Sequence, residues 1–155
     1  FNLIVGAKLY EYYANVEDES KIKQKLNSIQ EVIEANDASF AKFFFDDQKI
    51  LPSYFGVNWV SLLFSQKLQF PNLLLLWDHI LVFYDKILEF VLMISAASIL
   101  KKKKEFLKLT YGDILNELQN NKDMNVLSVL RVARSLWANY YKSNDDKGNN
   151  NDNEH

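Results

Sequence analysis

The chain has 155 residues, 48% hydrophobic and 25% charged, with no cysteine and a formal net charge of −2 at pH 7. That length indicates one domain or large subdomain, able to bury about two thirds of its unfolded surface. Disulfides and thiolate metal sites are excluded, a reducing interior fits, and the small negative charge gives no overall attraction to nucleic acid.

Four glycines and two prolines are all that interrupt the apolar residues, which favours long helices over short strands joined by turns. The expected fold class is all-α, a compact multi-helix bundle with no sheet. The chain opens on Phe1 rather than Met and shows no basic leader with a cleavage site, so no signal peptide is read and a cut from a longer protein is expected. Phe1 to Tyr13 is expected as a first helix, with Leu3, Ala7, Tyr10 and Ala14 on one side. An acidic break over Asn15 to Ser20 follows. Ser20 is placed to cap a helix running to about Glu34, with Ile22, Leu26, Ile29 and Ile33 inward and Lys21, Lys23, Lys25 and Glu31 in water. Asn36-Asp37 opens a further helix through Phe45 with Phe40, Phe43 and Phe44 inward, and Asp46-Asp47 ends it as a solvated pair rather than an acid–base one.

Phe55 to Asp78 reads as a buried helical hairpin. Trp59, Leu62, Leu63 and Gln66 recur at spacings of three and four, which puts them on one helical face. Gln69-Phe70-Pro71 forms the joint, and Pro71 suits the first turn of the next helix because its missing N–H costs nothing there. Leu73 to Trp77 is apolar on every side, so that helix is expected to be enclosed by others. Trp59 and Trp77 are expected to fill the core, and Asp78 to accept hydrogen bonds from a neighbouring helix end.

Tyr84 to Leu100 is the most apolar segment, but its uncharged run, Phe90 to Leu100, has 11 residues. That spans about half of a ~30 Å hydrocarbon core, so a core helix and no transmembrane segment is expected. Asp85 and Glu89 at its start and Lys101, Lys102, Lys103 and Lys104 at its end complement the helix macrodipole. The same lysines also form a candidate basic surface patch for anionic lipid or an acidic partner. Thr110 to Asp113 resembles a capping box opening a helix to about Gln119. Asp123 is expected to cap a last helix with Val126, Leu130, Ala133, Trp137 and Tyr140 inward. The helical domain is thus placed at 1–142, and 143–155, rich in Asn, Asp and Gly, as a disordered polar tail. Asp145, Asp146, Asp152, Glu154 and His155 lie in that tail with nothing to position them as a cation site.

Chemical motifs are scarce. The sequence has no glycine-rich phosphate loop, no nucleophile motif and no metal-ligand spacing, so neither cofactor nor metal is expected. His79, alone on a packed helix, reads as structural.

The order of residues is more informative. Trp59, Leu62-Leu63-Phe64, Phe70-Pro71, Leu75 and Trp77-Asp78 resemble the signature of the TBC domain, the family of Rab GTPase-activating proteins. Ile50, Pro52 and Phe55 match its lead-in. Phe90-Val91, Ala97, Leu100, Phe106-Leu107, Tyr111-Gly112-Asp113 and Leu118-Gln119 match its continuation, so the resemblance is strongest over 37–120. Asn58 stands where the family usually has Arg, and Gln66-Lys67 where it has Arg-Glu. The resemblance implies structural roles for Trp59, Leu63, Phe64, Phe70, Pro71, Trp77 and Asp78. It implies a Rab-type small GTPase as partner of the full-length protein.

Members of this family accelerate GTP hydrolysis with an arginine that stabilises charge on the γ-phosphoryl group and a glutamine, from a Tyr-x-Gln motif, that positions the attacking water. Here the only arginines are Arg131 and Arg134, and Tyr-x-Gln does not occur. The expectation is a C-terminal subdomain that supports an absent N-terminal, finger-bearing subdomain, with no catalytic residues and no activity alone. Self-association through the uncovered face and a cytoplasmic location, peripheral to endomembranes, complete it. The alternative is a non-catalytic helical scaffold from a family member without fingers. A weaker third reading is a peripheral membrane adaptor using Lys101 to Lys104.

Overall fold

The computed structural model describes residues 10–12, 19–61, 63–65, 67–83, 86–120 and 123–151, with side chains described as far as 140. Among the described residues all regular structure is helical and no strand is present. In chain order the helices are α1 (Glu19–Asn36), α2 (Ala38–Ala41), a π-helical turn (Lys42–Asp47), α3 (Ser53–Ser61) and α4 (Asn72–Val82). They continue as α5 (Ile87–Lys101), α6 (Lys103–Phe106), α7 (Tyr111–Asn120) and α8 (Val126–Asn151).

The helix at the centre is α5. Its residues from Phe90 to Ile99 are all buried, and α1, α3, α4 and α8 pack around it. An all-apolar surface with that many neighbours is what an enclosed helix requires. Its two serines satisfy themselves within the helix: Ser95 Oγ donates to the Val91 carbonyl at 2.9 Å and Ser98 Oγ to that of Ile94 at 2.8 Å. Among the described residues no helix is long and apolar enough to cross a membrane.

On α1, Ile22, Leu26, Ile29 and Ile33 are buried while Lys21, Lys23, Lys25 and Glu31 are exposed, as their spacing predicts. The helix begins at Glu19, so Ser20 lies within it rather than capping it. Asp37 does cap α2, its carboxylate accepting from the Phe40 N–H at 3.1 Å.

The chain then departs from a plain helix. Between Lys42 and Asp47 the hydrogen bonds widen to i→i+5, with the Gln48 N–H donating to the Phe43 carbonyl at 2.9 Å. A π turn brings residues five apart onto one face, so Phe45 joins Phe40 and Phe44 in the core and Phe43 is only partly covered.

Gly56 on α3 sits against Leu26 of α1. A Cβ added there would lie 2.7 Å from Leu26 Cδ2, closer than van der Waals contact, and Leu26 is itself 1% exposed. Gly56→Ala is therefore expected to destabilise by about 1–3 kcal/mol, despite the ~1 kcal/mol that alanine gains over glycine in a helix. Urea denaturation checks this. With Leu26→Ala in the same chain the combined cost should fall below the sum of the two.

The Phe1–Tyr13 helix falls largely outside the described residues; within it Tyr10 to Tyr12 are helical, and the buried Tyr12 hydroxyl donates to the Val60 carbonyl. The last helix is capped by Asn125, whose Oδ1 accepts from the Ser128 N–H at 3.1 Å, not by Asp123. The polar segment after Lys142 is helical in its backbone as far as Asn151. No proline lies there to stop a helix that already extends one hydrogen bond per residue. Residues 152–155 are outside the described set.

Candidate functional site

The signature residues do not share one continuous helix. α3 ends at Ser61, and the chain turns through two residues with left-handed backbone, Leu63 at φ 47° and Phe64 at φ 62°. Each costs about 1–2 kcal/mol for a residue with a Cβ. What offsets this is visible. The Phe64 N–H donates to the Trp59 carbonyl at 3.0 Å, both side chains are buried, and the Trp77 indole N–H donates to the Leu63 carbonyl at 2.9 Å. The Trp59 ring lies 4.9 Å from that of Phe55 and 5.5 Å from that of Phe64. Trp59, Leu63, Phe64 and Trp77 thus form one joint between α3 and α4. Leu62 and Gln66, expected on the same helical face, lie outside the described residues.

The other signature residues stand apart from the joint. Pro71 immediately precedes α4, as its fixed φ favours, but it is exposed, and Phe70 is 68% exposed. Asp78 faces water, and among the described residues no hydrogen bond reaches its carboxylate, so the expected contact with a helix end is not found. Nor is α4 enclosed. Leu73, Leu76 and Ile80 are buried while Leu74 and Val82 lie exposed on its outer side. An apolar run of five residues says nothing about which side a neighbour covers. His79 is half-buried, its Nδ1 bonded to the Leu75 carbonyl at 2.8 Å, in keeping with a structural role.

Sequence reasoning missed Lys67. It is 9% exposed, its ammonium 5.0 Å over the Trp59 ring. Burial, reinforced by the Lys102 charge and opposed by that of Glu117, lowers its pKa from 10.5 to about 8. The signal available was the departure from the family pattern, which places Glu at this position. Beside Lys67 and Trp59 lies a cavity of about 410 Å³ between the ends of α3, α5 and α7 and the start of α8.

The four lysines have different surroundings. Lys102 bonds to Glu117 of α7 at 3.1 Å, Lys103 pairs with Asp37 at the start of α2, and Lys101 and Lys104 are exposed. The Lys103 ammonium, then the Phe40 N–H, hold the Asp37 carboxyl below its ordinary 3.8. A carboxyl held low contributes stability that is present above pH 3.8 and lost as pH falls through its folded-state value. Asp37→Ala is therefore expected to lower the Tm at neutral pH more than Asp37→Asn, which keeps a capping oxygen. The gap between Asp37→Asn and the unaltered chain should close as pH drops below 3.8. Thermal melts between pH 2 and 7 check both. Among the described residues no group of acidic or histidine side chains is arranged to hold a metal.

The family model described as the Rab-GTPase-TBC domain matches residues 1–108. The chain belongs to that family. Among curated proteins it is similar to TBC1 domain family member 13 of Homo sapiens, 26% identical over 90 residues, and to the protein of the same name from Mus musculus, 24% identical over 90 residues. In each case the similarity covers 58% of this chain, which spans only 22% of the relative. No solved structure matches it. For this TBC chain, the signature reads physically as a joint: two tryptophans hold a left-handed turn between consecutive helices.

Proposed function

We propose that this TBC chain is the C-terminal helical subdomain of a Rab GTPase-activating protein. It would buttress a finger-bearing half, contribute part of the surface that holds the Rab, and fail to stimulate hydrolysis alone. The carrying observation is that the family-matched residues 1–108 contain no arginine at all. Negative charge builds on the γ-phosphoryl oxygens in the transition state, and a supplied arginine contributes about 10³–10⁵ in rate. Arg131 and Arg134 lie beyond the matched segment, exposed on α8. The curated relatives are several times longer than the matched stretch, which leaves room for a catalytic half elsewhere.

The exposed Phe70 just before α4, with Leu74 and Val82 on its outer side, supports docking of that half, and the same surface would serve self-association of the chain. A cytoplasmic place beside endomembranes accords with a Rab partner. The test is direct: mix the chain with a panel of GTP-loaded Rab proteins and follow phosphate release. The expected rate equals the intrinsic one. Acceleration of about a hundredfold or more on any Rab would overturn the proposal, since finger-type catalysis operates at or above that scale.

A further inference from the structure

The cavity beside Trp59 belongs neither to the tryptophan joint nor to the exposed surface beside α4. Its size, about 410 Å³, falls within the range of small-molecule sites. Trp59, Ile99, Phe106, Leu118, Met124 and Val129 give it apolar and aromatic walls. Its polar lining is already committed. Ser98 Oγ donates to the Ile94 carbonyl, and Asn125 Oδ1 accepts from the Ser128 N–H. Lys102 and Glu117 pair at 3.1 Å, the Lys67 ammonium stands 5.0 Å over the Trp59 ring, and Lys67 and Asp123 each interact elsewhere within the chain. Lys101 and Glu105 are exposed to water. Among the described residues no buried side-chain nitrogen or oxygen lacks a hydrogen-bond partner. The lining charges also balance, with Lys67, Lys101 and Lys102 against Glu105, Glu117 and Asp123.

We propose that this cavity binds a small neutral molecule with a cyclic, mainly apolar body, seated among Trp59, Phe106, Leu118 and Met124. Such a body gains by leaving water and asks no lining group to give up a partner. A charged ligand of either sign would lose its hydration on entry, and would meet as many lining charges that repel it as attract it. The rings of Trp59 and Phe106 favour an aromatic body over an open chain.

The test is calorimetric titration of the unaltered chain at pH 7 with three molecules of nearly one shape: 2-naphthylmethanol, which is neutral, the anion 2-naphthoate and the cation 2-naphthylmethylammonium. One saturable site is expected for the alcohol, with each ion binding about tenfold more weakly or worse. Raising the salt from about 50 mM to about 500 mM should leave the alcohol's affinity within about twofold, since no charge on the ligand is there to be screened. Its place is read from the methionine methyl resonances. The chain has two methionines: Met124 lines the cavity, whereas Met93 is buried on α5 away from its walls. The Met124 signal should move with the same midpoint as the titration and several times further than that of Met93. Val129→Trp, which fills the cavity, should abolish binding. No saturable binding, an ion that binds as tightly as the alcohol, an affinity that falls steeply with salt, a Met124 signal that stays in place, or undiminished binding after Val129→Trp would each overturn the proposal. The ligand series and the methyl signals are measured on the unaltered chain, so the outcome does not depend on how a variant folds.

Discussion

Phe44→Ala is expected to lower the unfolding free energy by about 4 kcal/mol, near the upper end for a fully buried ring. Phe44 has no exposed surface, and four other rings meet it. Phe45 lies at 5.0 Å edge-on, Phe106 at 5.5 Å, Phe40 at 5.6 Å and Phe55 at 6.4 Å. Those rings come from α2, the π turn, α3 and α6, so one side chain ties four segments together. Deleting it removes the transfer free energy of the ring and leaves a hole that the surrounding aromatics, braced by one another, are poorly able to close. Urea unfolding at pH 7 should show a large fall in midpoint with an unchanged slope. A cost below about 1 kcal/mol would mean that the cluster collapses readily onto the vacancy. Phe44→Leu, which keeps most of the volume, should cost roughly a third as much.

Lys67→Met is expected to act in the opposite direction. The pKa of the buried amine, lowered to about 8 from 10.5, lies below its unfolded value. The protonated form therefore penalises the fold below pH 8, and the penalty fades between pH 8 and 10.5 as the unfolded chain alone stays charged. Taken at face value the difference corresponds to about 3 kcal/mol. Water reaching the amine from the cavity reduces that figure, and the lost attraction to Trp59 removes about 0.5–1 kcal/mol more. The expected gain in stability is about 1–2 kcal/mol at pH 7, vanishing near pH 10.5. Comparing the midpoints of the variant and the unaltered chain at those two pH values isolates Lys67, because every other titrating group is common to both. A gain that persists at pH 10.5 would trace the effect to packing rather than charge.

Much of the fold was legible because it rests on periodicity. Ile22, Leu26, Ile29 and Ile33 announce the inner face of α1, and the uncharged run from Phe90 to Leu100 announces the enclosed α5. The all-helical class follows from few glycines and prolines. Features that depend on a local change of hydrogen bonding were hidden. Nothing in the run of phenylalanines signals a π turn, and neither leucine nor phenylalanine advertises a left-handed backbone, so the end of α3 at Ser61 was missed. Family order located Trp59, Leu63, Phe64 and Trp77 together, yet it gave the same structural role to Phe70 and Asp78, which face solvent. Order along a motif carries no information about which of its members meets water. Lys67 was invisible for a related reason: a lysine is ordinarily assigned to the rim, and only the three-dimensional neighbourhood of Trp59 places it inside.

The bond from the Trp77 indole to the Leu63 carbonyl has a spectroscopic consequence. Its indole proton can exchange with deuterium only when the bend between α3 and α4 opens, so its exchange rate measures local unfolding at that bend. Trp59 under its ammonium and Trp137 among Phe83 and Phe90 occupy two other environments. Three indole resonances in one proton–nitrogen spectrum would then follow three regions of the molecule without any attached probe group.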